Sequence, residues 1–182
     1  KIFSISSFLN SEGKTLMNIF LAKTLAEIGF KVLILDLNLR DPMIHKILSL
    51  KNELGLSEFL TDQSIKFDEI IKKFYFSDRY SFGVLTSGSK LDEPIKLLNS
   101  QKFKDLCRDL RNNKNFDYII FDMPSIKGFS DFNLTAQNCD KLILLITLNR
   151  VQKKFNLINS ITFENIRNKF KGIIINLKDF NR

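Results

Sequence analysis

Lys1-Ile2-Phe3-Ser4-Ile5 followed by Ser6-Ser7-Phe8-Leu9-Asn10-Ser11-Glu12-Gly13-Lys14-Thr15 is the stretch that decides the fold. The first run is short and apolar, as in a strand. After Thr15 a helical pattern opens, with Leu16, Ile19, Phe20 and Leu25 at helical spacing. Strand, loop, Gly-Lys-Thr and helix together make the layout of a phosphate-binding loop. Its backbone N–H groups and the helix N-terminus cradle phosphates, the lysine reaches the β/γ-phosphates and the hydroxyl meets Mg²⁺. A bare Gly-Lys-Thr also begins ordinary surface helices; the flanking elements select the phosphate reading. Asn10, Ser11, Glu12, Gly13, Lys14, Thr15 and Leu16 are therefore the candidate nucleotide-binding residues. The usual pattern G-x-x-x-x-G-K-[ST] would put glycine at Phe8. Asn10 and Ser11 stand where glycine or proline is common, and asparagine's tolerance of positive φ is expected to let the loop form at Asn10. Nucleotide binding, weakened by these departures, is the expectation.

The 182 residues suit one domain, 1–182, with a substantial core. Hydrophobic content of 44% and charged content of 26% read as soluble and globular. No apolar run approaches the roughly 20 residues that span a bilayer, and no signal peptide is expected before the first strand. Because the chain opens directly in a strand, it is expected to be a domain of a longer protein. Cys107 and Cys139 lack metal or redox spacing and read as small hydrophobes in a reducing compartment. The net charge of +8 raises nucleic acid or an anionic membrane as partners. The lysines are scattered, however, apart from pairs such as Lys72-Lys73 and Lys153-Lys154, which argues against a dedicated nucleic-acid surface.

Strands are expected at 1–6, 31–36, 82–86, 117–122, 141–147 and 171–177, and several are solidly apolar, as strands buried on both faces are. Helices are expected at about 14–29, 41–49, 55–61, 67–74, 94–113, 130–138 and 151–169. The fifth carries Asp92 as a cap, Pro94 in its first turn, and Phe103, Leu106 and Leu110 on one face. The alternation predicts an α/β three-layer sandwich around a mainly parallel sheet. In such sheets ligands sit beyond the carboxyl ends of the strands. Those ends carry the phosphate loop, Asp36, Asp122 and Asn176. One Asp after a strand is ordinarily a turn or cap residue. Two beside a phosphate loop form the arrangement that metal-assisted phosphoryl chemistry needs.

Three motifs in order carry a resemblance: Ser6 to Thr15; Leu33-Ile34-Leu35-Asp36-Leu37-Asn38-Leu39-Arg40-Asp41-Pro42; and Ile119-Ile120-Phe121-Asp122-Met123-Pro124. Smaller echoes are Gly55-Leu56-Ser57-Glu58-Phe59-Leu60, Leu85-Thr86-Ser87-Gly88 and Phe116-Asp117-Tyr118. Over nearly its whole length the chain resembles P-loop ATPases of the partition and septum-site type. Within them it is most similar to the bacterial tyrosine kinases of exopolysaccharide export, whose motifs run S-S-x-x-P-G-E-G-K-[ST], D-x-D-x-R and D-x-x-P. The resemblance implies Mg²⁺ and ATP or ADP as cofactors, with Lys14 on the phosphates and Thr15 on the metal. It implies that Asp122 holds the metal through water and that Asp36 accepts the tyrosine proton or positions the metal. Lys14, Asp36 and Asp122 would thus be catalytic, Thr15, Asp36 and Asp122 metal-binding, and Asn176 would touch the adenine. It further implies homo-oligomers, a membrane-embedded polysaccharide co-polymerase as partner, and a cytoplasmic place at the inner face of the plasma membrane.

Partition ATPases usually carry an extra lysine where this chain has Leu9; its absence, with Glu12, favours the kinase branch. Asn38 replaces the second aspartate of D-x-D-x-R, Asn10-Ser11 replaces Pro-Gly, and no tyrosine cluster closes the sequence. Two principal readings follow: a Mg-ATP-dependent tyrosine kinase or slow ATPase, and a non-catalytic nucleotide-gated module that regulates a membrane-embedded export partner. A partition-type ATPase is the third. Arg40 is placed to meet phosphate, to pair across a subunit interface, or to make a surface ion pair.

Overall fold

The apolar runs lie side by side in the computed structural model, which describes residues 1–91, 93–126, 129–147 and 164–177. Their order is β1 (Ile2–Ser7), α1 (Lys14–Glu27), β2 (Val32–Asp36), α2 (Ile44–Ile47), α3 (Leu56–Thr61), α4 (Phe67–Ile70), β3 (Lys72–Tyr75) and β4 (Ser81–Leu85). Then come α5 (Pro94–Leu98), α6 (Gln101–Asn112), β5 (Tyr118–Asp122), α7 (Phe129–Ala136), β6 (Lys141–Thr147), α8 (Glu164–Arg167) and β7 (Phe170–Asn176). The strands form one seven-stranded sheet in the order β3-β4-β2-β5-β1-β6-β7. Every neighbouring pair is parallel except β3–β4.

The expected sandwich follows from side-chain alternation along the central strands. Leu33, Leu35, Ile119 and Phe121 face one layer and pack with Phe103, Leu106 and Leu110 of α6. Val32, Ile34 and Ile120 face the other and pack with Ile19, Ala22 and Ala26 of α1. Helices thus cover both faces, and all five β2 residues are buried. Cys107 and Cys139 are buried free thiols; burial pushes the Cys107 thiol up to about 12, as befits packed hydrophobes.

Two expected helices need correction. The stretch 67–74 is helical only to Ile70 and then becomes β3, whose Phe74 stands opposite Phe82 on β4 with ring centroids 5.4 Å apart. Phe67, Ile70, Ile71 and Phe74 have helical spacing, but the cross-strand aromatic pair outweighs it. The stretch 94–113 is two helices: α5 ends at Leu98, and Ser100 caps the start of α6 by accepting a hydrogen bond from the Phe103 N–H at 3.2 Å. Phe103, Leu106 and Leu110 do share a buried face, and Pro94 occupies the first turn of α5. Asp92 and most of the 151–169 helix lie outside the described residues.

Candidate functional site

Between β1 and α1 the loop turns twice through the left-handed region, at Ser11 (φ 61°) and Gly13 (φ 99°). The expectation placed that turn at Asn10; the side chain of Asn10 instead accepts a hydrogen bond from the Ser125 hydroxyl. At Gly13 a Cβ would meet only side-chain atoms 3.9 Å away, so φ rather than space calls for glycine there. Phe8, where the pattern has glycine, packs against the core. Gly13 starts α1 without a side-chain cap, leaving the first N–H groups of the helix as donors for an anion.

The Glu12 side chain braces the loop. Its carboxylate is buried and accepts from Leu9 N–H at 2.7 Å and from Thr147 N–H at 2.9 Å. It ties the loop to itself and to the end of β6. The side chain of Asn176 donates to the Glu12 carbonyl at 3.3 Å, touching the loop from the β7 side.

Asp36 and Asp122 end neighbouring strands, stand opposite each other in register, and are fully buried. Thr15 Oγ1 donates to Asp122 Oδ2 at 2.7 Å, and Asn18 Nδ2 donates to Asp122 Oδ1 at 2.9 Å. Asp36 accepts from three backbone N–H groups: Asn38 at 3.2 Å, Met43 at 3.1 Å and Ile44 at 3.1 Å. Burial, with Asp122 beside it, pushes the Asp36 carboxyl up to about 8 against the pull of those hydrogen bonds and of Lys14. Burial also raises Asp122, opposed by Lys14, Thr15 and Asn18. Two buried carboxylates facing one lysine favour a cation between them and a phosphate.

A cavity of about 440 Å³ opens over the loop. Asn10, Ser11, Gly13, Lys14, Thr15 and Leu16 line it, whereas Glu12, Asp36, Asp122 and Asn176 do not. The opposite wall comes from the segments after β2 and β5 and includes Asn38, Arg40, Asp41, Ser125 and Asp131. Asn38 turns its amide to the Asp41 carbonyl at 2.7 Å. Arg40 makes an ion pair with Asp131 of α7, Nε to Oδ2 at 2.5 Å. Among the described residues no three His, Cys, Asp or Glu side chains cluster as a metal cage. The oxygen-only donors Thr15, Asp122 and Asp36 suit Mg²⁺ by their chemistry and could hold it.

Sequence reasoning missed Asn18, Ser125 and Asp131. Asn18 had a signal: it lies four residues after Lys14 and three after Thr15, a polar side chain within an apolar helical run. Its amide also satisfies both backbone groups of Ile5, accepting from N–H at 3.0 Å and donating to C=O at 2.9 Å. The β1–β5 pairing covers only Ile2 and Phe3, so Asn18 serves Ile5 beyond that ladder.

Among the described residues no helix is long and apolar enough to cross a membrane. An AAA domain family model matches residues 1–168. The tyrosine-protein kinase CpsD of Streptococcus pneumoniae serotype 4 is 31% identical over 155 residues, 85% of this chain and 66% of that protein. The putative tyrosine-protein kinase CapB of Staphylococcus aureus is 29% identical over 153 residues, 84% of this chain. The chain spans just under two thirds of the length of these relatives, 66% and 64%. The solved kinase domain of the Escherichia coli tyrosine kinase ETK superposes with a TM-score of 0.84 at 25% identity, covering 100% of this chain and 69% of that one. With this coverage and the phosphate loop, Thr15 and Asp122 brought together, the chain belongs to the AAA domain family, where its relatives are bacterial tyrosine-protein kinases.

Proposed function

We propose that this chain is the Mg-ATP-binding part of a bacterial tyrosine kinase, transferring the γ-phosphoryl group to a tyrosine hydroxyl. The observation that carries the reading is the 2.7 Å hydrogen bond from Thr15 to Asp122 at the foot of the loop, with Lys14 beside it. Thr15 and Asp122 would hold Mg²⁺, which when bound neutralises charge on the phosphates. Lys14 and the N–H groups opening α1 bind and orient the phosphate chain. Asp36, whose proton affinity burial raises, is the carboxyl that would take the proton of an incoming hydroxyl. Asn176 would face the base from the β7 side. The likeness to exopolysaccharide-export kinases supports a homo-oligomer at the inner face of the plasma membrane, working with a membrane-embedded polysaccharide co-polymerase.

A second reading, a nucleotide-gated module without catalysis, draws on two observations. Asn38 supplies an amide where the motif has a carboxylate, and Asp36 is engaged by three backbone N–H groups. Transfer of label from [γ-³²P]ATP to protein tyrosine or to water separates the two. Kinase activity predicts transfer by the unmodified protein, and binding without transfer or hydrolysis supports the gated module. If Asn38 limits the site, Asn38→Asp should raise the rate about tenfold or more, since an added carboxylate strengthens metal placement near the γ-phosphate. Nucleotide affinity should change little, because Lys14 and the loop amides supply most of the binding. Brisk turnover left unchanged by Asn38→Asp would remove the degenerate-site argument.

A further inference from the structure

We propose that Asp131 is a positioning residue that fixes Arg40 on the cavity wall to meet the terminal phosphate of a nucleoside triphosphate, so that the pair distinguishes triphosphate from diphosphate. The inference rests on the nucleotide reading of the cavity and adds which groups recognise the end of the phosphate chain.

Arg40 Nε donates to Asp131 Oδ2 at 2.5 Å and Nη2 to Oδ1 at 3.3 Å. The Asp131 side chain is 4% exposed and that of Arg40 49%. The anchor is buried while the cation stays accessible, unlike a surface ion pair with both partners in water. Two contacts along one edge set the plane of the guanidinium, which a single contact would leave free to rotate. Both side chains border the cavity that Gly13, Lys14 and Thr15 open onto.

Sheet order gives the direction. The phosphate loop follows β1, with β6 and β7 on one side and β5 and β2 on the other. Asn176, at the end of β7, touches the loop from the first side. Arg40 follows β2 and Asp131 follows β5, on the second side. A nucleotide with its base toward Asn176 and its phosphates along the start of α1 therefore ends at Arg40. Among the described residues none of the cavity lining comes from β6 or β7, so the part seen is the phosphate half of the site. A third phosphate brings negative charge toward the buried Asp36 and Asp122, and a guanidinium on the cavity wall offsets it.

Equilibrium titrations of Mg-ATP and Mg-ADP into the whole chain and its variants test this. Arg40→Ala and Asp131→Asn should each weaken ATP about tenfold while ADP affinity stays within about twofold, the loss expected of one charge-assisted contact. Arg40→Lys should behave like Arg40→Ala, because an ammonium cannot make the two-point contact, and Asp131→Glu should recover part of the discrimination. Retained ADP binding shows that a variant is folded. Equal weakening of ATP and ADP, or an unchanged ratio, overturns the proposal and leaves the nucleotide site standing. An unmodified chain that binds neither nucleotide overturns the underlying reading and the proposal with it.

Discussion

Replacing Lys14 by Ala should lower ATP affinity tenfold or more, because a charge-assisted contact to phosphate contributes roughly 1.5–3 kcal/mol. Lys14 is largely buried, opens α1 and lines the cavity. Its charge also lowers the proton affinity of both Asp36 and Asp122. The variant therefore loses the cation that meets the phosphates and leaves two buried carboxylates without their lysine, which disfavours an anionic ligand further. Arg40 does not replace it, because Asp131 holds it on the opposite wall of the cavity. Calorimetric titration checks the expectation, and unchanged affinity would remove the phosphate-loop assignment.

Asn18→Leu should be the most damaging single change to stability near the site. Asn18 is fully buried, and its amide serves Ile5 N–H, Ile5 C=O and Asp122 Oδ1. Leucine has a similar volume, so packing changes little while three buried partners lose their bonds. Taking the low end of the range of about 1–3 kcal/mol for each stranded group, the loss should be of order 3–5 kcal/mol. For a chain of this size that corresponds to a fall of roughly 10 °C in the unfolding midpoint. A midpoint by circular dichroism within about 3 °C of the parent would mean that water or another side chain takes over these groups.

The central strands were legible because burial on both faces writes itself as unbroken apolar runs: Val32–Asp36 and Tyr118–Asp122 lie where those runs are. β3 was not, since an edge strand with one buried face offers only Phe74 as a signal, and the apolar residues before it repeat at helical spacing. The break between α5 and α6 was written in Ser100 alone, a cap inside an otherwise continuous amphipathic pattern. At the site, the sequence placed the loop and both strand-end carboxylates together, because the topology of parallel sheets does so. It did not reveal that Glu12 turns inward to Thr147, that Ser11 rather than Asn10 takes the left-handed turn, or that Asp131 meets Arg40. Those contacts join residues brought close only by tertiary packing: Asp131 is 91 positions from Arg40 and Thr147 is 135 from Glu12.

In the proposed function one site serves both ends of Mg-ATP binding: Lys14 and the loop would hold phosphates while Thr15 and Asp122 would hold the metal. Titrating ATP into the unmodified chain and into Asp122→Asn, each with and without Mg²⁺, tests it most directly. Mg²⁺ should tighten ATP binding to the parent, and Asp122→Asn should abolish this gain while leaving metal-free binding nearly intact. Equal loss of binding with and without Mg²⁺ would contradict it and would make Asp122 a residue of the fold alone.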